Sequence, residues 1–163
     1  MINVTERDHR NERRFARVIE RSFKNVLSVD VDSYQSDRTS RIDGVMNLED
    51  GTTHLLELRG RERYDCERMS GMGPYINCHK AWPLIHDARS KGVSASFFVF
   101  CSDGFLAYNL YNHRTDTALD GTGVSNYDNP RRKSERGQGR NDSCFAIVLG
   151  RPDRIILFEN RSK

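Results

Sequence analysis

The order of apolar patterns in this chain predicts an α+β fold, with an α/β-type mixed sheet flanked by helices. Apolar residues recur first at helical spacing, then alternate through three strands, then return to helical spacing before a last set of strands. The length of 163 residues suits one domain with one core, and no internal repeat divides it. We therefore expect a single domain over residues 1–163.

The first element is predicted to be a helix over residues 7–24. Val18 and Ile19 follow Phe15 by three and four residues, which places all three on one helix face, and neither glycine nor proline interrupts the segment. The outer face is basic and carries Arg7, Arg10, Arg13, Arg14, Arg17, Arg21 and Lys24.

Three strands are predicted after this helix. Residues 26–32 alternate as a half-buried strand does, and the polar residues 33–40 predict a loop. Residues 41–48 and 53–60 form two more strands, and the Glu-Asp-Gly sequence at 49–51 is typical of the tight turn of a hairpin.

The middle of the chain alternates between polar and strongly apolar stretches. Residues 61–74 are polar and glycine-rich, so we expect a mobile loop there. A helical pattern runs from near residue 79 to about 91 and ends before a glycine. Residues 93–100 predict a central apolar strand, which an Asp-Gly turn connects to a strand over 105–111.

The segment 112–143 is rich in Gly, Asn, Asp and Arg and is predicted to be a second mobile loop. Its basic stretch 131–140 suits contact with a nucleic-acid backbone, although a solvated loop has the same composition. The basic residues are Arg131, Arg132, Lys133, Arg136 and Arg140. Residues 144–150 and 154–159 predict strands on either side of a turn at 151–153.

Composition excludes several classes of protein. Twenty-six Lys and Arg residues face 23 Asp and Glu, so any binding of a polyanion depends on local charge placement. No apolar run is long enough to span a membrane, and the N-terminus has no apolar core typical of a secretion signal. The four cysteines form no CxxC pair and match no regular zinc spacing, which indicates reduced thiols in a cytosol.

The most informative segment for chemistry is 41–61. Side chains alternate along a strand, so Glu57 and Arg59 project to one side while Leu56 and Leu58 project into the core. Asp43 lies on the preceding strand, across the hairpin. Two carboxylates and a cation can therefore meet at one sheet edge.

This set of side chains suits Mg²⁺-assisted hydrolysis of a phosphodiester. Mg²⁺ takes hard oxygen ligands, usually one or two carboxylates with water and phosphate. A neighbouring cation stabilises the charge that develops on the phosphate. The spacing D-x(13)-E-x-R alone does not distinguish such a site from polar side chains that face water.

Five residues carry a resemblance to a known family: Asp43, Glu57, Arg59, Arg61 and Lys80. Together with the order of elements, they resemble the PD-(D/E)XK nuclease-like superfamily, most closely its small phage and bacterial resolvase- or endonuclease-like branch. Asp43 matches the family's Asp and Glu57 the Glu of E-x-K, while Arg59 stands where Lys is expected. Arg61 and Lys80 match basic residues after that strand and at the start of the next helix. Further matching positions are Tyr64, Tyr75, Ile76, Phe97–Phe100, Asp103 and Gly104.

The resemblance implies a restriction-endonuclease-like core and a metal-dependent endonuclease or junction-resolving enzyme acting on DNA. Asp43, Glu57 and the Leu58 carbonyl would hold Mg²⁺ or Mn²⁺, Arg59 would contact the scissile phosphate, and Lys80 would assist. Arg61 and the basic stretch 131–140 would contact the nucleic acid. The resemblance further implies a cytoplasmic protein (in the host cytoplasm if phage-encoded), without membrane contact, and it allows a homodimer.

The family also places an acid on the first helix, and two residues qualify. Glu12 falls within the inward arc of the helix and Glu20 at its flank, so Glu12 is preferred as a catalytic acid. Alternatively, Glu12 only favours the helix dipole near the start of the helix.

Two further interpretations remain open. Arg is planar and always protonated, so Arg59 cannot serve as a base. The domain could then be an inactive nuclease-like module that binds nucleic acid or protein, such as a phage-encoded inhibitor. It could also bind RNA or DNA through its arginine-rich surfaces alone.

Overall fold

The computed structural model describes residues 4–35, 42–119, 124–128 and 143–158. This part of the chain forms an α+β fold in which a mixed, mostly antiparallel sheet is flanked by helices. The prediction of an α+β fold with a mixed sheet flanked by helices is therefore confirmed. None of the described helices is both long and apolar enough to cross a membrane.

The elements of the first half lie close to their predicted positions. They are α1 (Val4–Ser22), β1 (Val26–Asp30), α2 (Asp32–Gln35), β2 (Gly44–Leu48) and β3 (Thr53–Gly60). The β2–β3 hairpin turns at Gly51, whose φ of 87° lies in the left-handed region that glycine adopts readily. The short helix α2 replaces the start of the loop predicted at 33–40.

The second half of the described chain contains more elements than its sequence pattern predicts. They are α3 (Cys66–Met72), β4 (Tyr75–Asn77), α4 (Cys78–Lys91), β5 (Ser94–Phe100), β6 (Gly104–Asn112), β7 (Thr117–Ala118), β8 (Val124–Asp128), β9 (Ser143–Val148) and β10 (Arg154–Leu157).

The main sheet has the strand order β1-β2-β3-β5-β6-β10, with β7 beside β6. Only β3 and β5 run parallel among the described strands, and their register pairs Glu57 with Phe97. The connection between them crosses over through α3, β4 and α4. Strands β4, β9 and β8 form a separate antiparallel sheet.

Apolar clusters cover both faces of the main sheet. On one face, Phe15 and Ile19 of α1 belong to a cluster with Leu56 and Leu58, and the Phe15 ring stacks on Phe100 at 3.9 Å between centroids. The opposite face packs against α4. Burial of each large side chain contributes about 1.5–3 kcal/mol, so β3 is fixed from both sides.

The prediction of a loop over 61–74 is wrong for its second half, which contains α3. The Asp65 carboxylate caps this helix by accepting the main-chain N–H of Arg68 at 2.8 Å. Cys66 and Met69 bury their side chains in the core. Three apolar side chains in seven residues, with glycines beside them, gave too weak a periodicity to predict a helix.

The predicted loop over 112–143 also contains strands. β6 extends to Asn112, and β7 and β8 lie within the segment, while residues 120–123 and 129–142 are outside the described residues. The two predicted C-terminal strands exist as β9 and β10. They belong to different sheets, since β9 pairs with β4 and β8 whereas β10 pairs with β6.

Candidate active site

A polar cleft of about 450 Å³ opens at the carboxyl end of β3. Residues from α1, β3, α4 and the segment before β2 form its walls. These residues are Asn11, Glu12, Phe15, Asp43, Glu57, Leu58, Arg59, Gly60, Arg61 and Lys80. The cleft thus gathers the predicted catalytic and metal-binding positions, together with Arg61.

The hairpin places Asp43 beside Glu57. The main-chain N–H of Asp43 donates to the Leu56 carbonyl at 2.9 Å, which extends the β2–β3 ladder by one residue. The Asp43 carboxylate then accepts the N–H of Leu58 at 2.8 Å through Oδ2. These two bonds fix both the backbone and the side chain of Asp43 against β3.

Glu57 is the buried acid of the cleft, with 4% of its surface exposed. Its Oε2 lies 3.5 Å from Lys80 Nζ and 3.8 Å from an Arg59 guanidinium nitrogen, and the Asp43 carboxyl group lies close enough to act on its charge. Burial, followed by the negative charge of Asp43, raises the pKa of Glu57 to about 7, although Lys80 and Arg59 oppose the shift.

The three cations of the cleft differ in their freedom. The Arg59 side chain is 16% exposed and lies over the Phe97 ring, with Cζ 5.8 Å from the centroid. Arg61 donates its guanidinium to the Gly60 carbonyl at 2.7 Å, and burial together with Arg59 lowers its pKa. The Lys80 side chain is 46% exposed, so it is the cation most able to follow a bound anion.

The structure separates the two candidate acids of the first helix. Glu12 lies on the wall of the cleft. Glu20, two turns later, accepts the main-chain N–H of Val29 at 3.3 Å and connects α1 to β1. An ion pair between Arg14 and Glu62 joins α1 to the segment after β3. Of the two acids, Glu12 is the one placed at the cleft.

Sequence reasoning missed three residues of the cleft: Asn11, Phe15 and Gly60. Asn11 precedes Glu12 on the helix and gave no separate signal. A Cβ atom at Gly60 would lie 3.2 Å from the Phe15 ring, so this glycine permits the close approach of α1 to β3. A glycine at the end of an otherwise regular strand was the available signal for that approach.

The basic residues predicted to contact nucleic acid divide into two groups. Arg61 lies in the cleft. The other five, Arg131, Arg132, Lys133, Arg136 and Arg140, lie outside the described residues.

Of the three acids that line the cleft, Asp43 and Glu57 lie next to each other. Within the described residues, no group of three or more His, Cys, Asp or Glu side chains is arranged to hold a metal ion. Comparisons of the chain with protein-family models, curated proteins and solved structures gave no significant match.

Proposed function

We propose that the chain is a metal-dependent nuclease that hydrolyses phosphodiester bonds of DNA, with a restriction-endonuclease-like core of the PD-(D/E)XK type. The observation that carries the proposal is the contact between the Asp43 and Glu57 carboxyl groups within one cleft, where Arg59 and Lys80 flank Glu57. A diester phosphate would supply a second anion for these two cations.

The residues of the cleft fit a hard divalent cation such as Mg²⁺ or Mn²⁺. Two carboxyl groups in contact repel each other when both are ionised, and a divalent cation relieves that repulsion. Mg²⁺ commonly uses only one or two protein carboxylates and keeps several waters. Leu58 also lines the cleft although its side chain belongs to the apolar cluster, so its main chain faces the site.

In this proposal Asp43, Glu57 and the Leu58 carbonyl hold the cation, and Glu12 adds negative charge from the α1 side. A bound cation supplies polarisation of the phosphate and a lowered pKa for an attacking water. Arg59 stabilises the charge of the phosphate but cannot accept a proton.

Lys80 supplies the mobile ammonium that the PD-(D/E)XK motif places on the strand equivalent to β3. Its Nζ lies within 3.5 Å of Glu57, on the same carboxylate oxygen that Arg59 approaches. Metal binding at Glu57 would release Lys80 from this contact, and the ammonium would then be available to the phosphate. Arg61 extends the positive wall toward the rest of the nucleic acid.

The proposal is tested by cleavage of a substrate panel in Mg²⁺ or Mn²⁺, with linear duplex, single-stranded and branched DNA and RNA. Wild-type protein is compared with Glu57→Gln, which keeps the shape of the side chain and removes its charge. Glu67→Gln is the matched control, because Glu67 is an exposed acid on α3.

We expect cleavage of DNA by wild type and by Glu67→Gln, and loss of at least about 100-fold in Glu57→Gln, the scale of removing one important transition-state contact. Equal cleavage by Glu57→Gln would assign the activity to another site or to a contaminant. No cleavage of any substrate by folded wild-type protein would contradict the proposal.

A second candidate is an inactive nuclease-like module that binds nucleic acid. The observation that favours it is the position of Arg59, whose guanidinium already lies 3.8 Å from Glu57 and partly neutralises it. Such a module would bind DNA with strong dependence on salt, and Glu57→Gln would leave that binding unchanged.

A further inference from the structure

Two buried thiols lie at the carboxyl ends of β3 and β5, where the crossover connection leaves the main sheet. Cys66 is the first residue of α3, and Cys101 directly follows β5. Each is 1% exposed and both belong to the core cluster on the α4 face. They stand 35 positions apart in the sequence (101 minus 66).

Main-chain hydrogen bonds hold the two cysteine segments against each other. The N–H of Ser102 donates to the Tyr64 carbonyl at 2.9 Å, and the N–H of Cys66 donates to Asp103 Oδ1 at 2.8 Å. The N–H of Cys101 donates to the Gly104 carbonyl at 2.8 Å within the β5–β6 turn. The two side chains lie close enough for each thiol to affect the pKa of the other.

We propose that Cys66 and Cys101 are a redox couple, which a peroxide oxidises to a disulfide that closes the crossover connection. In the first step the Cys101 sulfur attacks the peroxide. The O–O bond breaks, Cys101 becomes a sulfenic acid, and one water leaves. Cys66 then attacks the Cys101 sulfur, the S–O bond breaks, and the second water leaves with the remaining thiol proton.

The burial of the two thiols determines when they can be oxidised. Burial raises the pKa of both thiols, so little thiolate is present in the closed state and oxidation follows local opening of α3. α3 spans only seven residues, and a helix this short opens at a low cost in free energy. The loop that the disulfide closes contains α3, β4, α4 and β5, so the bond ties the unit that carries Lys80 to the β5–β6 turn.

The test is to treat the folded full-length protein with hydrogen peroxide, block the remaining thiols, and map the cross-linked peptides by mass spectrometry. We expect a Cys66–Cys101 linkage, with Cys78 still open to alkylation, and reversal by dithiothreitol. The oxidised protein should melt about 10 °C higher than the reduced protein, because the bond closes a long loop of the unfolded chain.

The control variants are Cys66→Ser, Cys101→Ser and Cys78→Ser. The first two should lose both the linkage and the rise in Tm on oxidation, whereas Cys78→Ser should keep both. A linkage through Cys78 or Cys144, no intramolecular linkage in folded protein, or a lower Tm after oxidation would each overturn the proposal. None of these readouts depends on whether the cleft cleaves DNA.

Discussion

The ionised form of Glu57 destabilises the folded protein, and the cations around this side chain offset only part of that effect. Its side chain is almost fully buried next to the negative charge of Asp43, while Lys80 and Arg59 contribute opposite charge. The result is a pKa of about 7, against an ordinary value of 4.5. A group whose pKa rises on folding binds its proton more tightly in the folded state than in the unfolded one.

The stability of the metal-free protein should therefore fall as pH rises from about 5 to about 8. The contribution of Glu57 is fully present below its unfolded pKa and is lost as pH passes through the folded pKa. The shift corresponds to about 3 kcal/mol as an upper bound. Chemical denaturation in EDTA at a series of pH values measures this change in the free energy of unfolding.

Glu57→Gln should flatten this pH dependence, because glutamine has no proton to lose. Glu67→Gln should retain the slope of the wild type. A slope that survives in Glu57→Gln would show that other groups determine it.

We expect Lys80 to contribute strongly to the rate of cleavage, although nearly half of its side chain is exposed. Lys80→Ala removes the ammonium next to Glu57 and should lower cleavage by about 100-fold. Because Lys80 lowers the pKa of Glu57, its loss should also move the rise of the pH–rate profile to higher pH.

Lys91→Ala is the matched control for Lys80→Ala, since Lys91 is an exposed lysine in the last turn of the same helix. It should leave the rate and the pH profile unchanged. Equal losses in both variants would indicate a general effect of surface charge on DNA binding.

At the scale of single residues, the sequence predicted the central residues of the cleft. Alternation along β3 separated Glu57 from Leu56 and Leu58, and the hairpin brought Asp43 across from them. The helical arc favoured Glu12 over Glu20, but the arc alone does not show where along the sheet α1 lies. The stacking of Phe15 on Phe100 and the ion pair of Arg14 with Glu62 help to determine that position.

At the scale of elements, one glycine controls how β10 joins the main sheet. A Cβ atom at Gly104 would overlap the Ile156 carbonyl oxygen and would lie 2.9 Å from the Leu157 Cα. Both contacts are to backbone, so no side-chain rotation relieves them. The close approach of β6 and β10 requires glycine at this position.

Gly104→Ala should therefore destabilise the protein by about 3 kcal/mol, in the range of severe overpacking. Thermal or urea unfolding measures this loss. Gly71→Ala is the matched control, because a Cβ atom at this position of α3 would meet no other atom within 4 Å. It should stabilise the protein by about 0.5–1 kcal/mol through helix propensity. Equal stability of the two variants would contradict the β6–β10 pairing.

Elements with strong periodicity were predictable, and elements that depend on distant partners were not. The residues of α1, β3, α4 and β5 carry long apolar patterns that match their burial. The three-residue strand β4 exists because Tyr75, Ile76 and Asn77 pair with β9, about 70 residues later in the chain. Such pairing leaves no pattern in the local sequence. The assignment of β9 and β10 to different sheets likewise leaves none.

At the scale of the whole molecule, the fold brings the cleft residues together from three directions. The sheet is covered on both faces, and its only parallel pair among the described strands, β3 and β5, lies near its centre. The crossover between these two strands places Lys80 of α4 over Glu57. The predicted order of elements was sufficient for the fold class, whereas the second sheet and the course of the crossover needed tertiary contacts.

The central claim is that Asp43 and Glu57 together hold one divalent cation in this cleft. The most direct measurement is Mn²⁺ titration of the folded protein by calorimetry above the pKa of Glu57, for wild type, Asp43→Asn, Glu57→Gln and Glu67→Gln. The account predicts one site per chain in wild type and in Glu67→Gln, and its loss in the other two variants. Equal Mn²⁺ binding in all four proteins, or none in wild type, would contradict it.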